Sequence, residues 1–151
     1  NNMLLHRQKS LYRMDTEEKE NLKDMVLVAI NELTKFEPGI TNEDREEFGV
    51  EFSNIAPFNP GMIEDILIEL GYKEGKLDAT GWEHDYCYPF THPDKKHFPP
   101  VKLVGTAWIH ECRLHGTYDD YESYPHLEDN PEYTNRIKHG RELLSKAMDR
   151  K

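Results

Sequence analysis

The chain has 151 residues, of which 29 are acidic and 19 basic, so its formal net charge is -10 with neutral histidines. A chain of this length fits one domain that buries roughly 68–70% of its unfolded surface. No apolar run reaches the roughly 18 residues of a membrane span, and the first residues lack the features of a signal peptide. With two cysteines, we expect no disulfide framework, a reducing compartment and a cytoplasmic location.

The charge is distributed unevenly along the chain. Residues 1–14 carry three basic side chains and no acid, and residues 131–151 carry six basic and three acidic side chains. Each end is therefore +3, so residues 15–130 must carry -16 to give the total of -10. Because phosphate binding depends on Lys and Arg, this acidic centre disfavours nucleic acid as the main partner. It is compatible with a role in solubility or with docking to a basic protein surface.

The first predicted helix spans residues 16–36. Apolar residues recur at every third or fourth position from Leu22 to Leu33, which is the period of one helical face. Asp15, immediately before this segment, has the carboxylate that an N-cap requires. Residues 1–14 are predicted to form a basic N-terminal arm or a short helix.

Two further helices are indicated by Asn–Pro openings. Asn59–Pro60 begins a helix over residues 60–70. We expect Gly71 to end it, because glycine adopts the left-handed C′ conformation without a Cβ penalty. Asn130–Pro131 begins a C-terminal helix that extends to about residue 149.

The strands are predicted from residue alternation and from apolar runs. Residues 48–52 alternate and indicate a short strand, and residues 82–90 alternate with one aromatic face. Residues 101–112 are apolar on both faces, which predicts one central strand. The chain is therefore predicted to be a single-domain α+β protein, with three main helices packed on a small, mostly antiparallel sheet.

Four residues form two pairs of potential zinc ligands: His84, Cys87, Cys112 and His115. Their side-chain types suit tetrahedral zinc. Strand alternation, however, puts His84 and Cys87 on opposite faces. A simple hairpin would also put Cys87 near residue 103, far from Cys112. We therefore expect no cofactor and buried cysteines, with a zinc site as the alternative.

The histidine-rich segment 84–120 also has residue types that suit hydrolysis. His110 and His115 are five residues apart rather than the four of HExxH, so the zinc-protease motif is absent. Together with Asp119 and Asp120, they could still act as ligands or acid–base groups. The alternative function is therefore a metal-dependent hydrolase or nucleotide-handling enzyme, with His110 and His115 as its catalytic residues.

A partner-binding surface is predicted from a tyrosine-rich acidic segment and a neighbouring aromatic face. Its candidate contact residues are Trp82, Tyr86, Tyr88, Tyr118, Asp119, Asp120, Tyr121, Glu122 and Tyr124. Tyrosines supply contact area and acids steer a basic partner, whereas a covered aromatic face would belong to the core. Since no complete catalytic motif is present, the leading hypothesis is a small acidic, non-catalytic protein that regulates or inhibits a partner with a basic surface.

Overall fold

The computed structural model describes residues 15–34, 50–52, 60–76, 86–106, 111–116 and 124–149, and the basic segment 1–14 lies outside these ranges. The helices are α1 (Thr16–Leu33), α2 (Pro60–Glu69) and α3 (Pro131–Asp149). The strands are β1 (Val50–Glu51), β2 (Lys73–Glu74), β3 (Tyr86–Thr91), β4 (Val101–Thr106) and β5 (Glu111–Gly116). Helices and an antiparallel sheet confirm the α+β class. None of the described helices has the length and apolar composition needed to cross a bilayer.

Helix α1 begins at the predicted cap and ends earlier than predicted. The Asp15 carboxylate accepts a hydrogen bond from the Glu18 backbone N–H at 2.8 Å. Because the helix ends at Leu33, the predicted end at residue 36 is wrong. Thr34 caps it there, and its hydroxyl donates to the Asn31 carbonyl at 2.5 Å.

The end of helix α2 confirms the prediction made for Gly71. This glycine has a φ of 104°, which is the left-handed conformation. Its N–H donates to the Ile68 carbonyl, and the N–H of Tyr72 donates to the Leu67 carbonyl, both at 3.0 Å. These two bonds are those of a Schellman end. Tyr72 is buried, so the cap also directs an aromatic ring into the core.

Helix α3 begins at the predicted Asn–Pro pair. The Asn130 side-chain oxygen accepts from the Glu132 N–H at 3.0 Å, and Pro131 occupies the first helical position. Immediately before the cap, Leu127–Asp129 forms a single 3₁₀ turn. The start of α3 is therefore fixed by local hydrogen bonds before any tertiary contact is considered.

The sheet has the strand order β1-β5-β4-β3-β2, with every neighbouring pair antiparallel. The prediction of one strand over 101–112 is wrong, because this apolar run divides into β4 and β5. The two strands pair with each other, with Thr106 opposite Glu111. Both strands lie inside the sheet and have neighbours on both sides. In the sequence, residues 107–109 continue the apolar run past the end of β4, so the pattern shows no break before β5 begins at Glu111.

The hydrophobic core contains residues from all three helices and from the strands. Its largest fully buried side chains include Leu27 and Ile30 of α1, Ile66 of α2, and Tyr88 and Phe90 of β3. Ile137 of α3 belongs to the same cluster. This shared core fixes the position of the turn after β3 relative to the start of α3, where the candidate site lies.

Candidate functional site

A pocket of about 260 Å³ opens between the turn that follows β3 and the segment that precedes α3. Its lining residues are His97, Pro125, His126, Leu127, Asp129 and Asn130. It combines two imidazole rings, a carboxylate and an amide over an apolar floor, since Leu127 is buried. Polar groups that converge in a concave site mark the default binding-site hypothesis for a protein.

Asp94 organises the turn that forms one wall of the pocket. Its carboxylate oxygens both lie 2.9 Å from His97 Nδ1. Its backbone carbonyl accepts from the N–H groups of His97 and Phe98, and its own N–H donates to His92 Nδ1 at 3.0 Å. The side-chain hydrogen bond from His97 is the main reason that the pKa of Asp94 is lowered from its ordinary value. One aspartate therefore fixes both histidines of the turn.

His92 connects this turn to the end of α2. Because Nδ1 accepts from the Asp94 N–H, Nε2 carries the proton and donates to the Leu70 carbonyl at 2.8 Å. The ring stacks on Phe98, with centroids 4.1 Å apart, and meets the edge of Tyr72. Gly71 permits this approach, since a Cβ there would lie 2.6 Å from His92 Nε2. The wall is thus braced from behind by aromatic packing.

The opposite wall is held by Asn31, which is fully buried in α1. Its side-chain oxygen accepts from the Glu128 N–H at 2.9 Å, and its amide donates to the Glu128 carboxylate at 3.2 Å. Arg141 of α3 also pairs with that carboxylate. Glu128 therefore holds the 3₁₀ turn against α1 and α3, although we predicted from the sequence that this acidic segment serves a partner.

Tyr133, in the first turn of α3, joins the two walls. Its ring meets Phe98 edge-on, with centroids 6.0 Å apart. Burial is the main reason that the pKa of Tyr133 is raised, with a smaller contribution from the charge of Glu132. The pocket is therefore built on a continuous row of packed rings that runs from Tyr72 to Tyr133.

The Asp129 carboxylate is the acidic group of the pocket that remains available. Asp129 is exposed, and among the described residues it forms no ion pair. His97 presents a second acceptor: in its neutral form Nδ1–H faces Asp94, so Nε2 carries the lone pair. No lysine or arginine is among the described residues that line the pocket. The arrangement suits a cationic group that donates hydrogen bonds.

The sheet register corrects the geometry assumed for the proposed zinc ligands. Cys87 lies opposite Val104 rather than residue 103, and position 112 lies opposite Gly105. The two cysteine positions are therefore about 10 Å apart across β4, at strand spacings of roughly 4.8 Å, and not far along one strand. Adjacent register positions belong to opposite faces, so the backbone still separates positions 87 and 112. Within the described ranges, no three His, Cys, Asp or Glu residues are grouped closely enough to hold a metal.

The structure describes three of the predicted partner-contact residues. Tyr88 is 1% exposed in the core, so it is not available for a partner. Burial, then the charges of Glu64 and Glu74, raises the pKa of Tyr88 to about 12. Tyr86 pairs with Gly105 in the sheet, and Tyr124 is half-buried beside the pocket.

Most of the predicted site lies outside the described residues. These positions are Trp82, His84, His110, Tyr118, Asp119, Asp120, Tyr121 and Glu122. The backbone of His115 is described, opposite Lys102. The sequence patterns did not single out the pocket residues His97 and Asp129, or Asp94, which holds His97. An aspartate three residues before a histidine in a proline-bounded loop was the available signal for Asp94 and His97.

A second Asp–His pair lies between α1 and α3, away from the pocket. Asp24 is 7% exposed, and its two oxygens accept from Arg136 Nε at 2.6 Å and from His139 Nδ1 at 2.8 Å. Arg136 also pairs with Glu20. Although burial lowers the pKa of Arg136, its hydrogen bonds to Asp24 and Glu20 raise it overall. This network holds the two helices together.

Comparison of the chain with protein-family models, with curated proteins and with solved structures finds no match. The features of this chain that bear on function are therefore the pocket, its charge and the acidic centre of the sequence.

Proposed function

We propose that this chain is a small, acidic, non-catalytic binding protein that regulates or inhibits a protein partner by docking to a basic surface. The observation that carries the proposal is the charge distribution, in which residues 15–130 hold -16 between two ends of +3 each. Such a field accelerates encounter with a basic partner and repels acidic ones. We further propose that the three helices pack on one side of the small sheet and leave the loops at the pocket end to make the contact.

The pocket supports a docking site at this end of the molecule. Asp129, in its lining, lies five residues after the end of the tyrosine-rich segment 117–124, whose side chains supply the contact area expected of an interface. Glu128 is excluded from the docking acids, because its carboxylate already binds Asn31 and Arg141. Asp129 joins the predicted acids Asp119, Asp120 and Glu122 in the proposed contact surface.

The experiment measures association and dissociation rates with the partner recovered by affinity capture from cells that contain the protein. A variant with Asp119→Asn, Asp120→Asn and Glu122→Gln is compared with a control that neutralises Glu17, Glu18 and Glu142, exposed acids of α1 and α3. We expect the loop variant to associate roughly tenfold more slowly at low salt, with a nearly unchanged dissociation rate. Equal association rates for the two variants across the salt range would refute the proposal.

One observation favours a second candidate, the hydrolytic or nucleotide-handling enzyme. Asp94 holds His97 by Nδ1 at the pocket, which is how a carboxylate orients a general base. Turnover of ester or phosphodiester substrates that His97→Gln abolishes would support this enzyme. A wild-type protein that binds its partner and shows no turnover of these substrates would favour the binding function.

A further inference from the structure

The size of the pocket restricts what it can hold. Sites for drug-sized ligands and cofactors have volumes of roughly 300–1,000 Å³. At about 260 Å³, the pocket between the turn of His97 and the segment of Asp129 is smaller, and it is open to solvent on one side. It suits a single long side chain inserted from another surface better than a free cofactor.

The polar groups of the pocket select a cation that donates hydrogen bonds. The carboxylate of Asp129 is an acceptor, as is Nε2 of His97 whenever that ring is neutral, and the described lining contains no lysine or arginine. The neighbouring Glu128, in contrast, already binds a cation of the same chain, Arg141. A cation from outside would therefore pair with Asp129 without displacing an existing partner.

The shape of the lining favours a guanidinium over an ammonium group. His97 and His126 carry planar imidazole rings, and a planar guanidinium stacks on such surfaces while its N–H fork binds a carboxylate. The buried Leu127 forms an apolar floor for the methylene groups of the same side chain. An ammonium is a strongly hydrated point charge and would use only the carboxylate.

We infer that the pocket receives an arginine side chain of the protein partner, with its guanidinium bound to Asp129 and stacked between the rings of His97 and His126. This inference rests on the proposed function, and it assigns the anchor of the docking surface. Asp94 is a positioning residue, since it fixes His97 through Nδ1 and does not line the pocket itself.

The test is a titration followed by amide chemical shifts, with the tripeptide acetyl-Gly-Arg-Gly-amide as the probe. The same peptide with citrulline in place of arginine is its neutral isostere, and a lysine peptide separates guanidinium from simple charge. Asp129→Asn is the test variant. Glu142→Gln removes one charge from an exposed position of α3 outside the pocket and is the matched control.

We expect saturable shifts at residues 97 and 126–130 with the arginine peptide and none with the citrulline peptide. Asp129→Asn should weaken binding about tenfold, as loss of a charge-assisted hydrogen bond does, and Glu142→Gln should change it less than about twofold. The lysine peptide should bind more weakly than the arginine peptide. Unchanged amide shifts elsewhere in Asp129→Asn would show that this variant is folded.

Equal binding of the arginine and citrulline peptides, equal or tighter binding of the lysine peptide, or full binding by Asp129→Asn would overturn the inference. None of these outcomes would affect salt-dependent association with the whole partner, so the docking function can stand without the arginine anchor. Loss of the salt dependence, with arginine binding intact, would instead contradict the proposed function.

Discussion

Two Asp–His pairs with the same bonding pattern lie in different parts of the molecule and contribute differently. In each pair the histidine Nδ1 meets the aspartate carboxylate at 2.8 or 2.9 Å. Asp24 is buried between α1 and α3 and also binds Arg136, whereas the side chains of Asp94 and His97 are 44% and 53% exposed. Residue types alone therefore do not distinguish an acid that holds helices together from one that shapes a binding surface. The burial of the carboxylate and the presence of a cation partner distinguish the two kinds of acid.

The interface between α1 and α3 should tolerate substitution less well than the pocket. Gly140→Ala, in this interface, should cause the largest loss of unfolding free energy. A Cβ at Gly140 would lie 2.7 Å from the Asp24 carbonyl carbon and 2.8 Å from Val28 Cγ2. Because the Asp24 backbone cannot move aside as a flexible side chain could, α1 and α3 must separate to relieve this contact. This should cost about 3 kcal/mol of unfolding free energy, despite the roughly 1 kcal/mol that alanine gains in a helix.

Chemical denaturation measures this difference, with Asn135→Ala as the control. Asn135 is exposed on the same helix, so its substitution should change the unfolding free energy by less than about 0.5 kcal/mol. A Gly140→Ala protein as stable as the wild type would show that α1 and α3 are not packed as closely as described.

A smaller effect is expected when the buried pair loses its arginine. Arg136→Met leaves His139 as the remaining partner of Asp24, whose side chain alone is 10% exposed. We expect this variant to lose about 1–3 kcal/mol of unfolding free energy. The loss is smaller than for a fully buried pair because the Arg136 side chain is 34% exposed. Arg141→Met, which breaks the more exposed pair with Glu128, should cost at most about 1 kcal/mol. Equal losses in the two variants would remove the distinction between the buried and exposed pairs.

The smallest effect on stability is expected at the exposed pair of Asp94 and His97. This effect should depend on pH. The pKa of Asp94 in the folded protein lies below its ordinary value of 3.8, chiefly because of the His97 hydrogen bond. A lowered folded pKa contributes stability that is present above the unfolded value and is lost as pH falls through the folded one. Asp94→Asn should therefore be less stable than the wild type at pH 7, and the difference should shrink toward pH 3. A difference that does not change with pH would contradict this role for the carboxylate.

Local features of the fold were predictable from the sequence, and long-range ones were not. Gly71 ends its helix as predicted, because a left-handed cap depends on the residue itself and its immediate neighbours. The division of 101–112 into two strands was missed, since residues 107–109 continue the apolar run past the end of β4 at Thr106. The pocket depends on contacts between Phe98 and Tyr133, and the helix interface on Asp24 and Arg136, which are distant in the chain. No local pattern specifies such pairs.

The central claim is that the carboxylates between α1 and α3 maintain the fold while Asp129 serves binding. Measuring both the unfolding free energy and the arginine-peptide dissociation constant on Arg136→Met and Asp129→Asn tests it most directly. We predict that Arg136→Met loses about 1–3 kcal/mol of stability and binds the peptide within about twofold of the wild type, at a temperature where it is folded. Asp129→Asn should keep its stability within about 0.5 kcal/mol and bind about tenfold more weakly. An Asp129→Asn protein that loses stability but not affinity would contradict the account.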